Sequence, residues 1–240
     1  GVGNKMSWLN IIILIVILAI IAFLVWASAD IGSNVYLKSI CKANVSDKTV
    51  SLTFDDGPDA MMTPRVLDVL KKYNIKATFF VIGSNALKNY DIVRRIYEDG
   101  HIIGNHNLLH TASFPILGKK IIGEELQLCN HFIEKILGIR LRLFRPPFGV
   151  TNPPIAKAVK KNGFTSIGWS IRSLDTKKSR SREYICRRVV ERLHDGAIIL
   201  LHDRCADADV LLEMIIKEIY KKGYNIVPLD EMLNVEAYEN

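Results

Sequence analysis

The sequence has few cysteines, and their spacing does not form a metal-binding set. The four cysteines stand apart from one another along the chain. None belongs to a Cys-x-x-Cys pair, and no cysteine–histidine spacing matches a zinc finger. We therefore expect separate, mostly buried thiols. Cys205 lies three residues after His202, but no other feature of the sequence supports a cysteine nucleophile.

The chain also lacks internal repeats and any stretch with the composition of a flexible linker. Of its 240 residues, 49% are hydrophobic and 24% are charged, which is typical of a globular protein and argues against disorder. We expect three parts. These are an N-terminal membrane segment or uncleaved signal segment (1–30), a linker (31–48) and a single catalytic domain (49–240).

Charged side chains are absent from residues 11–27, which are all apolar. With its flanks this run reaches about 20 residues, enough to cross a bilayer as a helix. Trp8 and Trp26 stand near its two ends, where interfacial aromatic residues are favoured. The alternative is a buried core helix, which is usually shorter and amphipathic. The sequence therefore predicts a membrane segment.

Two fates of this segment stay open. Residues 27–29 (ASA) resemble a signal-peptide cleavage site, whereas the apolar run is longer than the usual signal core of roughly 7–15 residues, which favours a retained anchor. Lys5 is the only charge before Asp30, and the positive-inside rule would keep it in the cytoplasm. We expect a single-pass protein of the cell membrane with its catalytic domain in the periplasm or at the cell surface.

Basic residues outnumber acidic ones, and the formal net charge is +7. A basic domain at a cell surface could favour anionic polymers, although composition names none of them. The cluster at 177–182 (KKSRSR) is interpreted as a solvated loop and helix start. We expect no nucleic-acid partner.

Beyond the apolar run, short apolar stretches alternate with amphipathic ones in about seven strand–helix units. This alternation predicts a parallel sheet covered by helices, either a closed or nearly closed (β/α) barrel or an open doubly wound sheet. Both folds place reactive residues at the C-terminal ends of the strands. The predicted strands span 49–54, 76–82, 101–104, 141–145, 164–171, 197–201 and 226–228, and the predicted helices span 63–73, 91–99, 123–137, 152–161, 182–193 and 207–222.

Candidate reactive residues follow several of these strands. Asp55 and Asp56 follow the first, and adjacent carboxylates are tolerated where a cation holds one and the other takes protons. His106 and His110 are spaced i, i+4, which predicts that both imidazoles lie on one helical face. Two histidines and one carboxylate suit catalytic zinc, and ferrous iron or cobalt also fit. An acidic turn and solvated histidines are the plainer alternatives.

Two further strand ends carry candidates. Arg145 precedes two prolines that stiffen a loop, which could hold the guanidinium against a carboxylate and present backbone N–H groups to an oxyanion. His202 directly follows an apolar strand, although a histidine at the edge of a core is equally consistent with that pattern. A stiff turn is the plainer interpretation of the proline loop.

Taken in order, these motifs resemble those of the polysaccharide deacetylases, the NodB-homology domain of carbohydrate esterase family 4. Four motifs in one order are far more specific than any single motif. The resemblance spans 49 to about 228, nearly everything after the apolar run. The motifs are TFDDGP at 53–58, GNH at 104–106 with His110, RPPFG at 145–149 and LLH at 200–202.

The resemblance implies a distorted seven-stranded (β/α) barrel, a divalent metal, most commonly zinc, and hydrolysis of acetyl groups on a polysaccharide, with peptidoglycan or another envelope glycan favoured. It implies metal ligands at Asp56, His106 and His110. It assigns the general base to Asp55 and the general acid to His202, with Arg145 on the base. It places Pro147 and Phe148 along the groove and Leu200 against the acetyl methyl group.

The sequence departs from the family pattern in two places. Asn107 stands where Ser or Thr is usual, and we expect its amide to keep a polar contact. In the fourth motif, Arg172 replaces an Asp and Thr176 replaces a Trp, while Asp175 is retained and could support His202 or Arg145. We propose that Trp169 replaces the missing wall of the site. Two alternatives to a deacetylase stay open, namely an O-acetyl esterase or amidase and a glycan-binding member that has lost turnover.

Overall fold

The computed structural model describes residues 7–239. The predicted role of Lys5 in membrane orientation lies outside these residues. The first element is helix α1, Trp8–Ala29, whose N-cap Ser7 accepts a hydrogen bond from the backbone of Asn10. Within the described part of the chain, α1 is the one helix long and apolar enough to cross a membrane. Its side chains are largely exposed, unlike those of a core helix.

The C-terminal end of α1 contacts the rest of the protein. Ala27 is fully buried. The backbone N–H of Thr151 donates to the carbonyl of Ser28 at 2.9 Å, and the Ser33 hydroxyl donates to the carbonyl of Ala27 at 2.7 Å. The following segment, predicted as a linker, contains strand β1 (Ser39–Ile40), which pairs with the sheet. The helix therefore leads directly into the folded domain.

Within residues 7–239, nine strands form the sheet, and every strand pair among them is parallel. Eight strands follow the order β1-β6-β5-β4-β3-β2-β8-β7, and β9 pairs with β2. Lys42, just after β1, forms an isolated antiparallel β-bridge with Ala197 at the start of β8. This bridge connects the two sides of the curled sheet. The remaining strands are β2 (Thr49–Asp55), β3 (Thr78–Val81), β4 (Ile102–Asn105), β5 (Leu143–Phe144), β6 (Thr165–Ile167), β7 (Ile171–Arg172), β8 (Ala197–His202) and β9 (Asn225–Ile226).

Helices cover this sheet and complete the apolar core. Strands β2 and β8 are buried along almost their whole length, as expected for parallel strands packed on both faces. The predicted barrel-like α/β architecture is confirmed, and the described part of the chain has nine strand segments where seven were expected. The helices are α2 (Met62–Lys72), α3 (Gly83–Lys88), α4 (Tyr90–Glu98), α5 (Lys119–Leu137), α6 (Pro153–Lys161), α7 (Arg182–Val190), α8 (Ala208–Lys221) and α9 (Leu229–Leu233).

One predicted strand was wrong. The stretch 164–171 was predicted as one strand but forms β6 and β7, with a break after Ile167. Gly168 lies in this break, and a Cβ there would stand 2.6 Å from the sulfur of Cys41. Helix α2, predicted to begin at residue 63, begins at Met62. The Asp59 carboxylate caps its first turn by accepting from the Met62 N–H at 2.7 Å.

Candidate metal and catalytic centre

The centre begins at the C-terminal end of β2, where two adjacent aspartates diverge. Asp55 is the last residue of the strand, and its register partners are Phe80 on β3 and His202 on β8. Asp56 follows with φ 75°, a left-handed conformation that non-glycine residues seldom adopt outside functional or strained sites. This change of backbone direction lets the two carboxylates serve different partners.

The two histidines do not lie on a helix, so that prediction was wrong. Strand β4 ends at Asn105, and residues 106–110 form an irregular loop in which Asn107 and His110 have φ values of 70° and 52°. The loop brings the imidazole centroids of His106 and His110 within 4.8 Å of each other. The expected polar contact of Asn107 is also absent, because its buried amide has no hydrogen-bond partner among the described residues. Asn is nevertheless one of the residues that tolerate its left-handed conformation.

One oxygen of Asp56 and one nitrogen of each histidine come together. These potential ligand atoms of Asp56, His106 and His110 all lie within 4.8 Å of one another. The Nε2 atoms of both histidines stand 3.3 Å from Oδ1 of Asp56. Nδ1 of His106 lies 2.8 Å from the carbonyl oxygen of Arg145, which can only accept, so Nδ1 carries the proton and Nε2 presents its lone pair to the carboxylate.

This donor set fits a divalent cation. Two lone pairs that face each other repel unless a cation lies between them, and a second hydrogen bond that fixes the tautomer is a usual feature of metal-binding histidines. Burial lowers the pKa of His110 to about 4, which keeps its imidazole neutral and available as a ligand. Burial acts to raise the pKa of Asp56, but the neighbouring histidines His106, His202 and His110 outweigh burial and lower that pKa overall.

Asp55 is held from behind by Arg145, which is fully buried. Nη1 of Arg145 donates to Oδ1 of Asp55 at 2.8 Å and to the hydroxyl of Thr53 at 2.7 Å. Its other donors reach the carbonyls of Ile167 at 3.1 Å and Gly168 at 2.6 Å. A buried guanidinium held by these four acceptors fixes the Asp55 carboxylate in one orientation. Arg145 thus lies beneath the cavity and does not line it.

His202, at the end of β8, is paired with Asp175. Oδ1 of Asp175 lies 2.8 Å from Nδ1 of His202, and Oδ2 accepts from the His202 backbone N–H at 2.7 Å. Burial acts to lower the pKa of His202, but the Asp175 hydrogen bond and charge outweigh burial and raise that pKa overall. Nε2 of His202 faces the centre, 3.9 Å from Oδ2 of Asp56. Of the two partners predicted for Asp175, the structure pairs it with His202.

A cavity of about 150 Å³ opens above these groups. Phe148, Trp169 and Leu200 line it as apolar walls, and Phe148 packs on His110 with ring centroids 4.6 Å apart. Pro147 is buried and is not among the lining residues, so its expected contact with the groove is not seen. The predicted site residues are otherwise brought together, with Arg145 and Asp175 buried as supports behind Asp55 and His202.

Four lining residues were not predicted as site residues. They are Gly149, Arg172, Thr176 and Arg204. Nε of Arg204 lies 2.9 Å from Oδ2 of Asp56, on the opposite carboxylate oxygen from the histidines. The position of Arg204 two residues after His202 was an available signal, because loops that follow strand ends carry site residues in this fold. The sequence marks Arg172 and Thr176 only as departures from a family pattern.

Comparison with known proteins identifies the family. The family model described as Polysaccharide deacetylase matches residues 42–167. The chain belongs to this family. The peptidoglycan-N-acetylmuramic acid deacetylase PdaA of Bacillus subtilis is 35% identical to it over 196 residues, which cover 79% of this chain and 73% of that protein. The predicted membership and the predicted class of enzyme, a carbohydrate deacetylase, are confirmed.

Solved structures of this family share the fold. The Bc1960 peptidoglycan N-acetylglucosamine deacetylase superimposes with a TM-score of 0.77 and 29% identity, covering 84% of this chain and 95% of that one. BA3943 of Bacillus anthracis, described as a carbohydrate esterase family 4 pseudoenzyme, gives a TM-score of 0.75 with 28% identity, covering 82% of this chain and 69% of that one. Members of this deacetylase family are in general metal-dependent, and the Asp–His–His cluster is a possible metal site.

Proposed function

We propose that this chain is a metal-dependent deacetylase that hydrolyses N-acetyl groups of peptidoglycan and releases acetate. The observation that carries the proposal is the convergence of three systems on one cavity. These are the possible ligand cluster Asp56, His106 and His110, the Asp55–Arg145 pair and the His202–Asp175 pair. The amide hydrolysis expected of this family needs an electrophile, a base and an acid at one place.

Asp56, His106 and His110 would hold the metal. Two neutral imidazoles and one carboxylate form a common catalytic zinc set, which supports zinc as the resident ion. When bound, a divalent metal polarises the acetyl carbonyl and lowers the pKa of a water molecule. His106 contributes a fixed Nε2 lone pair because its Nδ1 is held by the carbonyl of Arg145.

Asp55 is the general base in this proposal. It takes a proton from the water molecule whose oxygen attacks the acetyl carbon, and a C–O bond forms. Arg145 holds the carboxylate through a 2.8 Å ion pair, so that Asp55 keeps one orientation.

His202 is the general acid. The leaving group is the sugar nitrogen, which departs slowly as an anion and therefore has to gain a proton as the C–N bond breaks. Nε2 of His202 faces the cavity while Nδ1 is occupied by Asp175. The Asp175 carboxylate favours the protonated imidazole. The products are acetate and a free amino sugar.

The walls of the cavity fit a small acetyl group. Leu200, Phe148 and Trp169 present apolar surface, which favours a methyl group over a larger polar substituent. Pro147 acts indirectly, because it is buried and precedes the exposed Phe148. As one of these walls, Trp169 takes the place of the tryptophan that the fourth motif lacks.

Helix α1 supports placement at the cell envelope. We propose that residues 1–30 anchor the protein in the membrane, that 31–48 connect the anchor to the sheet, and that 49–240 form the catalytic domain outside the cytoplasm. The exposed apolar surface of α1 and a substrate located in the cell wall support this arrangement. Thr151 and Ser33, bonded to the end of α1, would keep the domain near the membrane.

Acetate release tests the function. Purified protein is incubated with peptidoglycan, chitotetraose and an O-acetylated xylan, with and without chelator. We expect chelator-sensitive acetate from peptidoglycan, and loss of at least about 10²-fold in rate for Asp55→Asn, the size of a general-base contribution. A non-catalytic glycan-binding protein, the alternative suggested by the BA3943 likeness, would release no acetate from any substrate while Asp55→Asn still bound glycan. Release from xylan alone would indicate an esterase.

A further inference from the structure

The mouth of the catalytic cavity carries two arginines that the hydrolysis does not use. Arg172 and Arg204 both line the cavity. Arg172 is exposed and forms no salt bridge with any residue between 7 and 239. Arg204 uses only Nε, on Asp56, and its two terminal nitrogens have no hydrogen-bond partner in the described part of the chain. Each arginine therefore presents free donors.

Strand register explains why Arg172 reaches this cavity. Arg172 on β7 is the register partner of Leu200 on β8. Residues opposite each other on neighbouring strands project to the same face of a sheet, so Arg172 extends on the side where Leu200 meets the acetyl pocket. Its carbonyl accepts from Nε of Arg188 at 2.9 Å, which fixes the backbone while the side chain stays free.

Arg172 and Arg204 bring more positive charge to the mouth of the cavity than is needed to balance the catalytic carboxylates. Asp55 is already neutralised by Arg145 from below, and Asp175 is buried against His202. A second cavity of about 430 Å³ shares Thr176 and Arg204 with the first, and its lining has five basic side chains against two acidic ones. A guanidinium with unpaired N–H donors matches the geometry of a carboxylate, which can accept two parallel hydrogen bonds.

A carboxylate stands next to the reacting group in one sugar of peptidoglycan. Muramic acid bears a lactyl ether on the carbon adjacent to the acetamido carbon, whereas glucosamine bears a neutral hydroxyl there. The lactyl carboxylate is ionised when no stem peptide is attached and is an uncharged amide when one is. A cation beside the acetyl pocket can therefore distinguish the two sugars by charge.

We propose that Arg172, assisted by the free donors of Arg204, binds the lactyl carboxylate and directs the deacetylase to peptide-free N-acetylmuramic acid. The proposal rests on the proposed function, because it names the substrate of the same cavity. Arg172 is a specificity residue in this account and takes no part in bond breaking. It is a cation where the family pattern has a carboxylate, and it lines the same cavity as the proposed acetyl pocket.

The test compares three tetrasaccharides of equal length. The first is a peptide-free glucosaminyl–muramyl glycan, the second is the same glycan with its lactyl groups converted to methyl amides, and the third is chitotetraose. Acetate release gives kcat and KM for each, and calorimetry gives Kd. The variants are Arg172→Gln and, as a matched control with the same charge loss, Arg187→Gln on the exposed face of α7.

We expect the wild type to favour the free carboxylate over its methyl amide at least about tenfold, in KM and Kd more than in kcat. Arg172→Gln brings this ratio close to one, and Arg187→Gln keeps it. Equal use and equal binding of acid and amide by the wild type would overturn the proposal, as would a ratio that survives in Arg172→Gln. Acetate release with no preference for the carboxylate would contradict this inference and leave the proposed function standing. Carboxylate-dependent binding with no acetate release would contradict the proposed function and leave the binding role of Arg172 standing.

Discussion

Oδ1 of Asp175 lies 2.8 Å from Nδ1 of His202, and the other oxygen of the same carboxylate accepts from the His202 backbone N–H. One side chain therefore fixes both the tautomer and the position of the proposed general acid. The Asp175 loop includes Leu174 with φ 67°, so that its backbone holds an uncommon conformation to make this contact.

Asp175→Asn should move the alkaline limb of the pH–rate profile to lower pH. His202 acts in its protonated form, so activity falls as pH rises through its pKa, which Asp175 raises. An amide lowers that pKa because it removes the negative charge. The measurement is kcat against pH for both proteins. An unchanged alkaline limb in Asp175→Asn would show that another group supplies the proton.

Arg145→Met should destabilise the fold as well as the reaction. It leaves Asp55 buried without its cation, and breaking a buried pair costs about 3–5 kcal/mol. Chemical denaturation measures the free energy of unfolding of Arg145→Met, Asp55→Asn and the double variant. We expect strong coupling, with the double variant more stable than Arg145→Met alone. Additive effects would contradict the role of Arg145 as the support of Asp55.

Gly149→Ala should displace Trp169 from the cavity wall. Gly149 has φ 66°, and an added Cβ would stand 2.5 Å from the ring of Trp169. Gly163→Ala is the matched control, because Gly163 has φ 69° with no heavy atom within 4 Å of the added Cβ. Backbone strain of about 1–2 kcal/mol is expected in both. Only Gly149→Ala should raise KM and alter tryptophan fluorescence, and equal behaviour of the two variants would refute the proposed wall.

Helix α1 should hold the full chain in the membrane fraction. Its apolar side chains are exposed in the structure, and an arginine at the centre of such a helix costs about 2.5–3.5 kcal/mol on insertion scales. We expect Leu18→Arg to move protein to the soluble fraction, with Leu87→Arg at an exposed position of α3 as control. N-terminal sequencing of the mature protein separates the two fates, because a new N-terminus after Ala29 means a cleaved signal segment.

Strand ends were predictable from the sequence, and loop conformations were not. Asp55 and His202 follow apolar runs, so the side of the sheet on which they lie follows from parallel topology alone. His110 and Phe148 reach the centre through left-handed backbone conformations that tertiary contacts impose. The contact of Arg204 with Asp56 joins residues far apart in the chain, and no spacing rule indicates it. The sequence pattern therefore located the catalytic centre but not the loop residues that surround it.

Metal content tests the central claim most directly. Wild type, His106→Ala, His110→Ala and, as control, His131→Ala on the exposed face of α5 are loaded with zinc, desalted and analysed by elemental mass spectrometry. Thermal unfolding confirms that each variant is folded. We predict about one metal per chain in the wild type and in His131→Ala, and a large loss in the other two, as expected when one of three ligands is removed. Stoichiometric metal retained by both His106→Ala and His110→Ala would contradict the account.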